Sequence, residues 1–182
     1  YGSQGRIDGD RHFDRALGAA MEGAARAGQP LSLAILDIDH FKAINDVHGH
    51  ALGDLTLVQI AQSLVRAMRR TDLVARYGGE EFVILMPGTP RDAALLRMEA
   101  LRQEIVATPI DLGEGHSLTL NFSAGGAGTP ADKAVTTPKS LLFCADNRLL
   151  VAKRSGRGRC VGEDSVATQP ITGAGIAPTA RQ

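Results

Sequence analysis

Residues Leu31 to Ile38 read LSLAILDI, a short unbroken apolar run with Asp37 and Asp39 at its end. A run of this length, preceded by the stop signals Gly28 and Pro30, is the pattern of a buried strand. Further β-rich runs follow at LVARY (73–77), FVILM (82–86) and Ser117 to Ala127. The first two join at Gly78 and Gly79, as in a hairpin whose turn needs positive φ. Between the runs, apolar residues recur with a helical period at Leu57, Val58, Ala61, Leu64, Val65 and Met68. They recur again at Ala94, Leu95, Met98, Leu101 and Ile105. The order β-α-β-β-α-β predicts an α/β chain with a ferredoxin-like split motif, an antiparallel sheet under two helices. A helix over Phe13 to Ala27 precedes this core, with Leu17, Ala20, Met21, Ala24 and Ala25 inward. A helix over 139–154 and a short strand at 159–161 follow it.

The 182 residues suit one domain. We expect a polar lead-in over 1–12, the domain over 13–161 and a disordered tail over 162–182. Because the first residue is Tyr1, the chain is expected to be a piece of a longer protein. Twenty Lys and Arg balance twenty Asp and Glu, so any anion must be held by a local cluster. Neither nucleic acid nor a membrane is an expected partner. No apolar run approaches the roughly 18–20 residues that cross a bilayer. Cys144 and Cys160 form no disulfide or zinc pattern and read as reduced thiols of a cytoplasmic protein.

Acidic residues at strand ends carry the chemistry. In this topology the first strand lies beside the hairpin, so Asp37 can meet Glu80 and Glu81, a set of hard oxygen ligands suited to a cation such as Mg²⁺. The alternative is that both glutamates are turn charges facing water. Asn45 and Asp54 offer the donors and acceptors that read a guanine edge; equally, they suit a turn residue and a helix N-cap. Lys42, Lys153 and Arg157 are phosphate-ligand candidates, the last two in a basic run softened by Gly156 and Gly158. That run also suits a solvated helix end. His40, His48 and His50 fit no closed zinc site, and no Walker loop is present.

The segments LAILDIDHFKAINDVHGHALGD (33–54) and DLVARYGGEEF (72–82) resemble, in order and spacing, the signatures of the GGDEF domain, the diguanylate cyclase family. ADNRLLVAKRSGRGR (145–159) resembles its C-terminal motif. The resemblance implies the palm-like fold of nucleotide cyclases and polymerases. It implies two Mg²⁺ or Mn²⁺ ions held by Asp37, Glu80, Glu81 and the Ile38 carbonyl. It also implies room for a nucleotide at Gly78 and Gly79, and guanine recognition by Asn45 and Asp54. The triphosphate would be held by the His40 and Phe41 amides with Lys42, Lys153 and Arg157. Two domains, each with one GTP, would face each other as a homodimer and form cyclic di-GMP with release of two pyrophosphates. An upstream sensor or dimerisation domain would control them. Arg69 and Asp72 match the family's RxxD site for inhibition by product.

Several positions depart from the family pattern. Residues 2–11 retain little of its opening stretch, and FSAGGA (122–127) carries extra glycines expected to weaken a strand. Arg148, Leu150 and Gly158 replace a small residue, a tyrosine and an asparagine. Ala100 stands where an arginine often joins the inhibitory site, with Arg97 and Arg102 near. The intact Gly78–Phe82 favours a working cyclase over a module that only senses GTP or cyclic di-GMP.

Overall fold

The computed structural model describes residues 10–163. Residues 1–9 of the expected lead-in and 164–182 of the expected tail lie outside the described residues. The elements are α1 (Asp10–Ala27), β1 (Leu31–Ile38), α2 (Phe41–His48), α3 (His50–Ala67), β2 (Leu73–Arg76), β3 (Glu81–Pro87), α4 (Arg91–Ala107), β4 (Ile110–Gly113), β5 (His116–Leu118), β6 (Phe122–Thr129), α5 (Pro138–Arg154) and β7 (Cys160–Val161). The main sheet has the order β2-β3-β1-β6-β7, so the ferredoxin-like core is present with β1 at its centre. It departs from a wholly antiparallel sheet at one edge, where β7 runs parallel to β6.

β1 is buried along its whole length, because helices cover both faces of the sheet rather than one. Ala34, Leu36 and Ile38 face Ile60, Leu64, Met98 and Leu101 from α3 and α4. Leu31, Leu33 and Ile35 face Phe13, Leu17, Leu141 and Leu149 from α1 and α5. A strand buried on both sides gains nothing from alternation, which is why β1 reads as a continuous apolar run. α3 turns a different stripe inward than expected. Thr56, Leu57, Ile60 and Leu64 are buried, while Val58 and Val65 are half exposed. Its apolar residues wrap around much of the helix, and only contact with the sheet selects the inner face. The expected strand over 117–127 is two elements, since β5 pairs with β4 in a separate ribbon. Likewise the expected loop before Asp54 is the helix pair α2–α3, turned at Gly49 with φ of 83°.

The glycines of β6 have a positive purpose, contrary to the expected weakness. A Cβ on Gly125 would lie 2.1 Å from the Ala145 carbonyl oxygen and 2.2 Å from the Leu149 amide nitrogen. α5 therefore rests its backbone directly on the strand. Gly125→Ala is expected to destabilise the chain by about 1–3 kcal/mol or more, because two backbones cannot yield as a side chain does. Denaturant titration checks this, and an unchanged midpoint would contradict the close approach.

At the far end of β6, the loop leading to α5 is locked by Asp132. Its carboxylate accepts from both terminal nitrogens of Arg148 at 2.7 and 2.9 Å, from Arg91 at 2.9 Å and from the Gly128 amide at 2.8 Å. Arg148 is buried and also donates to the Gly126 carbonyl at 2.8 Å. Both cysteines are free thiols. Burial, with Glu99 beside it, pushes the Cys160 thiol up to about 12. Among the described residues no helix is long and apolar enough to cross a membrane.

Candidate functional site

The C-terminal end of β1 places Asp37 opposite Glu81 of β3 in register, with Ser123 of β6 on its other side. The Ile38 amide donates to the Glu80 carbonyl, tying the strand end to the hairpin. Neither hairpin glycine has the positive φ expected of the turn, and only Gly78 has a local steric reason. A Cβ on Gly78 would come within 2.7 Å of the Glu81 carboxylate, whereas one on Gly79 meets only open space. Arg76 steadies the turn by donating to the Gly78 and Gly79 carbonyls.

Past β1 the chain turns sharply at His40, which has φ 60° and ψ 26°. This left-handed conformation costs a residue with a side chain roughly 1–2 kcal/mol, and such strain gathers at functional sites. The turn aims the start of α2 back across the acidic end of β1. Amides in the first turn of a helix lack intrahelical acceptors, so this end is positive and accepts anions.

An open cleft of about 380 Å³ lies between these parts. Asp37, Ile38, His40, Phe41, Lys42, Ala43, Asp46, Glu80, Lys153 and Arg157 line it. Lys153 donates to Asp37 at 2.8 Å. Burial and the nearby Asp37 carboxylate push Glu80 and Glu81 above the ordinary glutamate range, with Lys153 opposing. Asp37, Glu80 and Glu81 together outnumber the one ammonium among them, an arrangement that a divalent cation would relieve. Their all-oxygen donor set, with the Ile38 carbonyl, fits a hard cation. Among the described residues, however, no three such side chains stand assembled around one point. The carboxylates must turn inward to share an ion.

The cleft gathers Asp37, Glu80, Lys42, Lys153, Arg157 and the start of α2, but not Asn45, Asp54, Gly78, Gly79 or Glu81. Lys42 is held to Asp46 one turn on, a pairing that the i,i+4 spacing already signals. Asn45 is not a turn residue: it lies in α2, and its side chain crosses to α3 where Gly53 leaves space. A Cβ on Gly53 would sit 1.9 Å from the Asn45 Oδ1 atom. Nor is Asp54 an N-cap. That position belongs to Gly49, and Asp54 is exposed one turn inside α3.

Arg69 and Asp72 close a tight turn away from the cleft, with the Arg69 amide donating to Asp72 at 2.8 Å. The Arg69 side chain is exposed. Arg97 of α4 reaches the buried Asp72 carboxylate at 2.8 Å, so this arginine, not the position of Ala100, joins the turn.

A family model described as diguanylate cyclase, GGDEF domain, matches residues 5–159. The chain belongs to the GGDEF family. Response regulator PleD of Caulobacter vibrioides is 38% identical over 154 residues, covering 84% of this chain and 34% of that protein. Diguanylate cyclase DgcP of Pseudomonas aeruginosa is 43% identical over 134 residues, covering 74% of this chain and 19% of its own length. The chain thus spans about a third of the first relative's length and about a fifth of the second's. Among solved structures, the GGDEF domain of DgcB from Caulobacter crescentus, in complex with c-di-GMP, matches with a TM-score of 0.78 and 31% identity. The match covers 86% of this chain and 89% of that one. The active GGEEF domain of a diguanylate cyclase from Vibrio cholerae matches with a TM-score of 0.75 and 32% identity, over 84% of this chain and 95% of that one. In this GGDEF domain the motif residues Gly78–Phe82 form the hairpin turn and the start of β3, against the end of β1.

Proposed function

We propose that this GGDEF domain is a diguanylate cyclase, joining two GTP molecules into cyclic di-GMP with release of two pyrophosphates. The observation that carries the reading is one cleft in which Asp37 and Glu80 face the start of α2, Lys153 and Arg157. Carboxylates on one side and anion-binding groups on the other are what a metal-dependent nucleotidyl transfer requires.

Each domain binds one GTP, and two domains face each other so that each 3′-hydroxyl attacks the α-phosphorus of the opposite nucleotide. The phosphorus–oxygen bond to pyrophosphate breaks as the new ester forms. Holding both nucleotides in register removes much of the entropic barrier to a bimolecular step. Asp37, Glu80, Glu81 and the Ile38 carbonyl would hold Mg²⁺ or Mn²⁺, two per site, which would supply charge neutralisation and alignment. The amides of His40 and Phe41 with Lys42, Lys153 and Arg157 hold the triphosphate and stabilise charge developing on the leaving pyrophosphate. One of the three carboxylates would also accept the proton of the attacking hydroxyl. Gly79 leaves the nucleotide room beside the turn. Cyclic di-GMP inhibits by binding at Arg69, with Arg97 holding Asp72 in place.

Asn45 and Asp54 recognise guanine. The Asp54 carboxylate accepts from the ring N–H and exocyclic amine of guanine and would meet an unprotonated nitrogen on adenine. Asp54→Ala is expected to erode the preference for GTP over ATP about tenfold or more. Competition between the two nucleotides checks this, and unchanged selectivity removes Asp54 from base recognition. The test of the activity itself is mass spectrometry of nucleotides after incubating concentrated protein with GTP and Mg²⁺. Tight GTP binding without product under dimerising conditions would turn the reading into that of a sensor.

A further inference from the structure

Asp39 directly follows the last residue of β1 but does not line the cleft, and the residue is buried at 8% exposure. It accepts from the Ser123 hydroxyl at 2.7 Å and from the Gly158 amide at 2.9 Å, 119 residues further along the chain. The Gly158 amide also reaches the Ser123 hydroxyl at 3.2 Å. Gly158 belongs to the loop between α5 and β7, in which Gly156, Arg157 and Gly158 have φ of 103°, 63° and 56°. Three successive left-handed residues, one of them an arginine, persist only where surroundings impose them. Here the Arg157 amide donates to the Ala152 carbonyl on one side, and the Gly158 amide is pulled to Asp39 on the other. Asn121 fills the space beside Gly158, where a Cβ would come within 2.8 Å of its amide nitrogen.

We infer that Asp39, with Ser123, is a positioning residue that holds the 155–159 loop so that Arg157 faces the triphosphate. The inference rests on the assignment of Arg157 as a triphosphate ligand. One short segment then builds the site from both directions: Asp37 faces the cleft from inside β1, and Asp39 fixes the cationic loop from behind. A carboxylate accepting from an amide and a hydroxyl makes charge-assisted hydrogen bonds, which suit it to hold a strained backbone.

The test is calorimetric titration of the whole chain, with Mg²⁺, using a GTP analogue that cannot be cleaved between its α- and β-phosphates. GMP, which lacks the outer phosphates, is the control. Asp39→Asn, which keeps the shape but offers the Gly158 amide a poorer partner, is expected to weaken the analogue about tenfold while leaving GMP within about twofold. Arg157→Ala is expected to weaken the analogue similarly. The double variant should be no weaker than Arg157→Ala by more than about twofold, since Asp39 acts through Arg157. Additive losses, or equal losses for GMP and the analogue, overturn the inference. Loss in Arg157→Ala with wild-type affinity in Asp39→Asn also overturns it but leaves the assignment of Arg157 standing. Wild-type affinity in Arg157→Ala overturns both. If Asp39→Asn does not fold, Ser123→Ala replaces it, with a loss of about threefold confined to the analogue expected and no loss overturning the inference.

Discussion

Glu81→Ala is expected to abolish the cyclic di-GMP formation proposed for this domain, with a fall in rate of at least about 10²–10³-fold, the range seen when one preorganised electrostatic group is removed from a transition state. Glu81 sits directly across from Asp37 on the neighbouring strand, and Gly78 is bare so that its carboxylate can lie against the turn. The same substitution is not expected to destabilise the fold. Burial and Asp37 raise the Glu81 pKa above 4.5, so the folded state holds this proton more tightly than the unfolded one. Its ionisation therefore subtracts from stability as pH rises through the window that opens above 4.5. Removing the carboxylate relieves that repulsion, and the variant should melt no lower than wild type, with the difference in its favour growing between acid and neutral pH. Mass spectrometry of the products and thermal melts over pH 4–8 check both halves. Product at an undiminished rate would remove Glu81 from the site, and a large fall in melting temperature would make it structural.

Arg148→Ala carries the largest expected loss of stability, about 3–5 kcal/mol, because it leaves the buried Asp132 carboxylate without its closest cation. Burial alone would raise the Asp132 pKa. Hydrogen bonds from Arg148, the Gly128 amide and Arg91 outweigh it and hold the carboxyl below the usual value of 3.8. A carboxyl lowered in this way contributes stability that is present above pH 3.8 and lost as pH falls through its folded value. The penalty of Arg148→Ala is accordingly full at neutral pH and shrinks in acid, which urea titrations at pH 7 and pH 3 would resolve. Replacing both partners with apolar residues of similar volume should recover most of the loss. A fixed penalty at both pH values would separate Arg148 from Asp132.

Much of the molecule is readable along the chain because it is written in local periods. The unbroken run of β1, the two glycines before Glu80 and the helical spacing of α4 each constrain their own few residues. The acids at the end of β1 and in the hairpin converge because the split topology leaves β1 no neighbours but β3 and β6. The meeting of Asp37 with the hairpin acids was accordingly legible from topology, whereas Lys153 and Arg157, which line the same cleft, were tied to them only by the family resemblance. The helix pair α2–α3 was not legible, since Asn45, His48 and Gly49 carry turn chemistry and the packing of Asn45 over Gly53 is a contact between helices. The inward stripe of α3 was also hidden, because Val58 and Val65 are as apolar as Ile60 and Leu64.

The sequence by itself determined the order of elements and the central strand, which follow from hydrophobic period and turn chemistry acting over a few residues. The acidic and basic residues of the cleft were named together only by the resemblance of their segments to the GGDEF motifs. Only the tertiary structure decided that helices cover both faces of the sheet, that the glycines of β6 admit α5, that Arg148 and Arg97 find buried aspartates, and that Asp39 holds the Arg157 loop. All but the first of these join groups at least 16 residues apart. The physical reason is that close packing and buried charge are settled between surfaces, and a partner's position is not contained in the pattern of either surface alone.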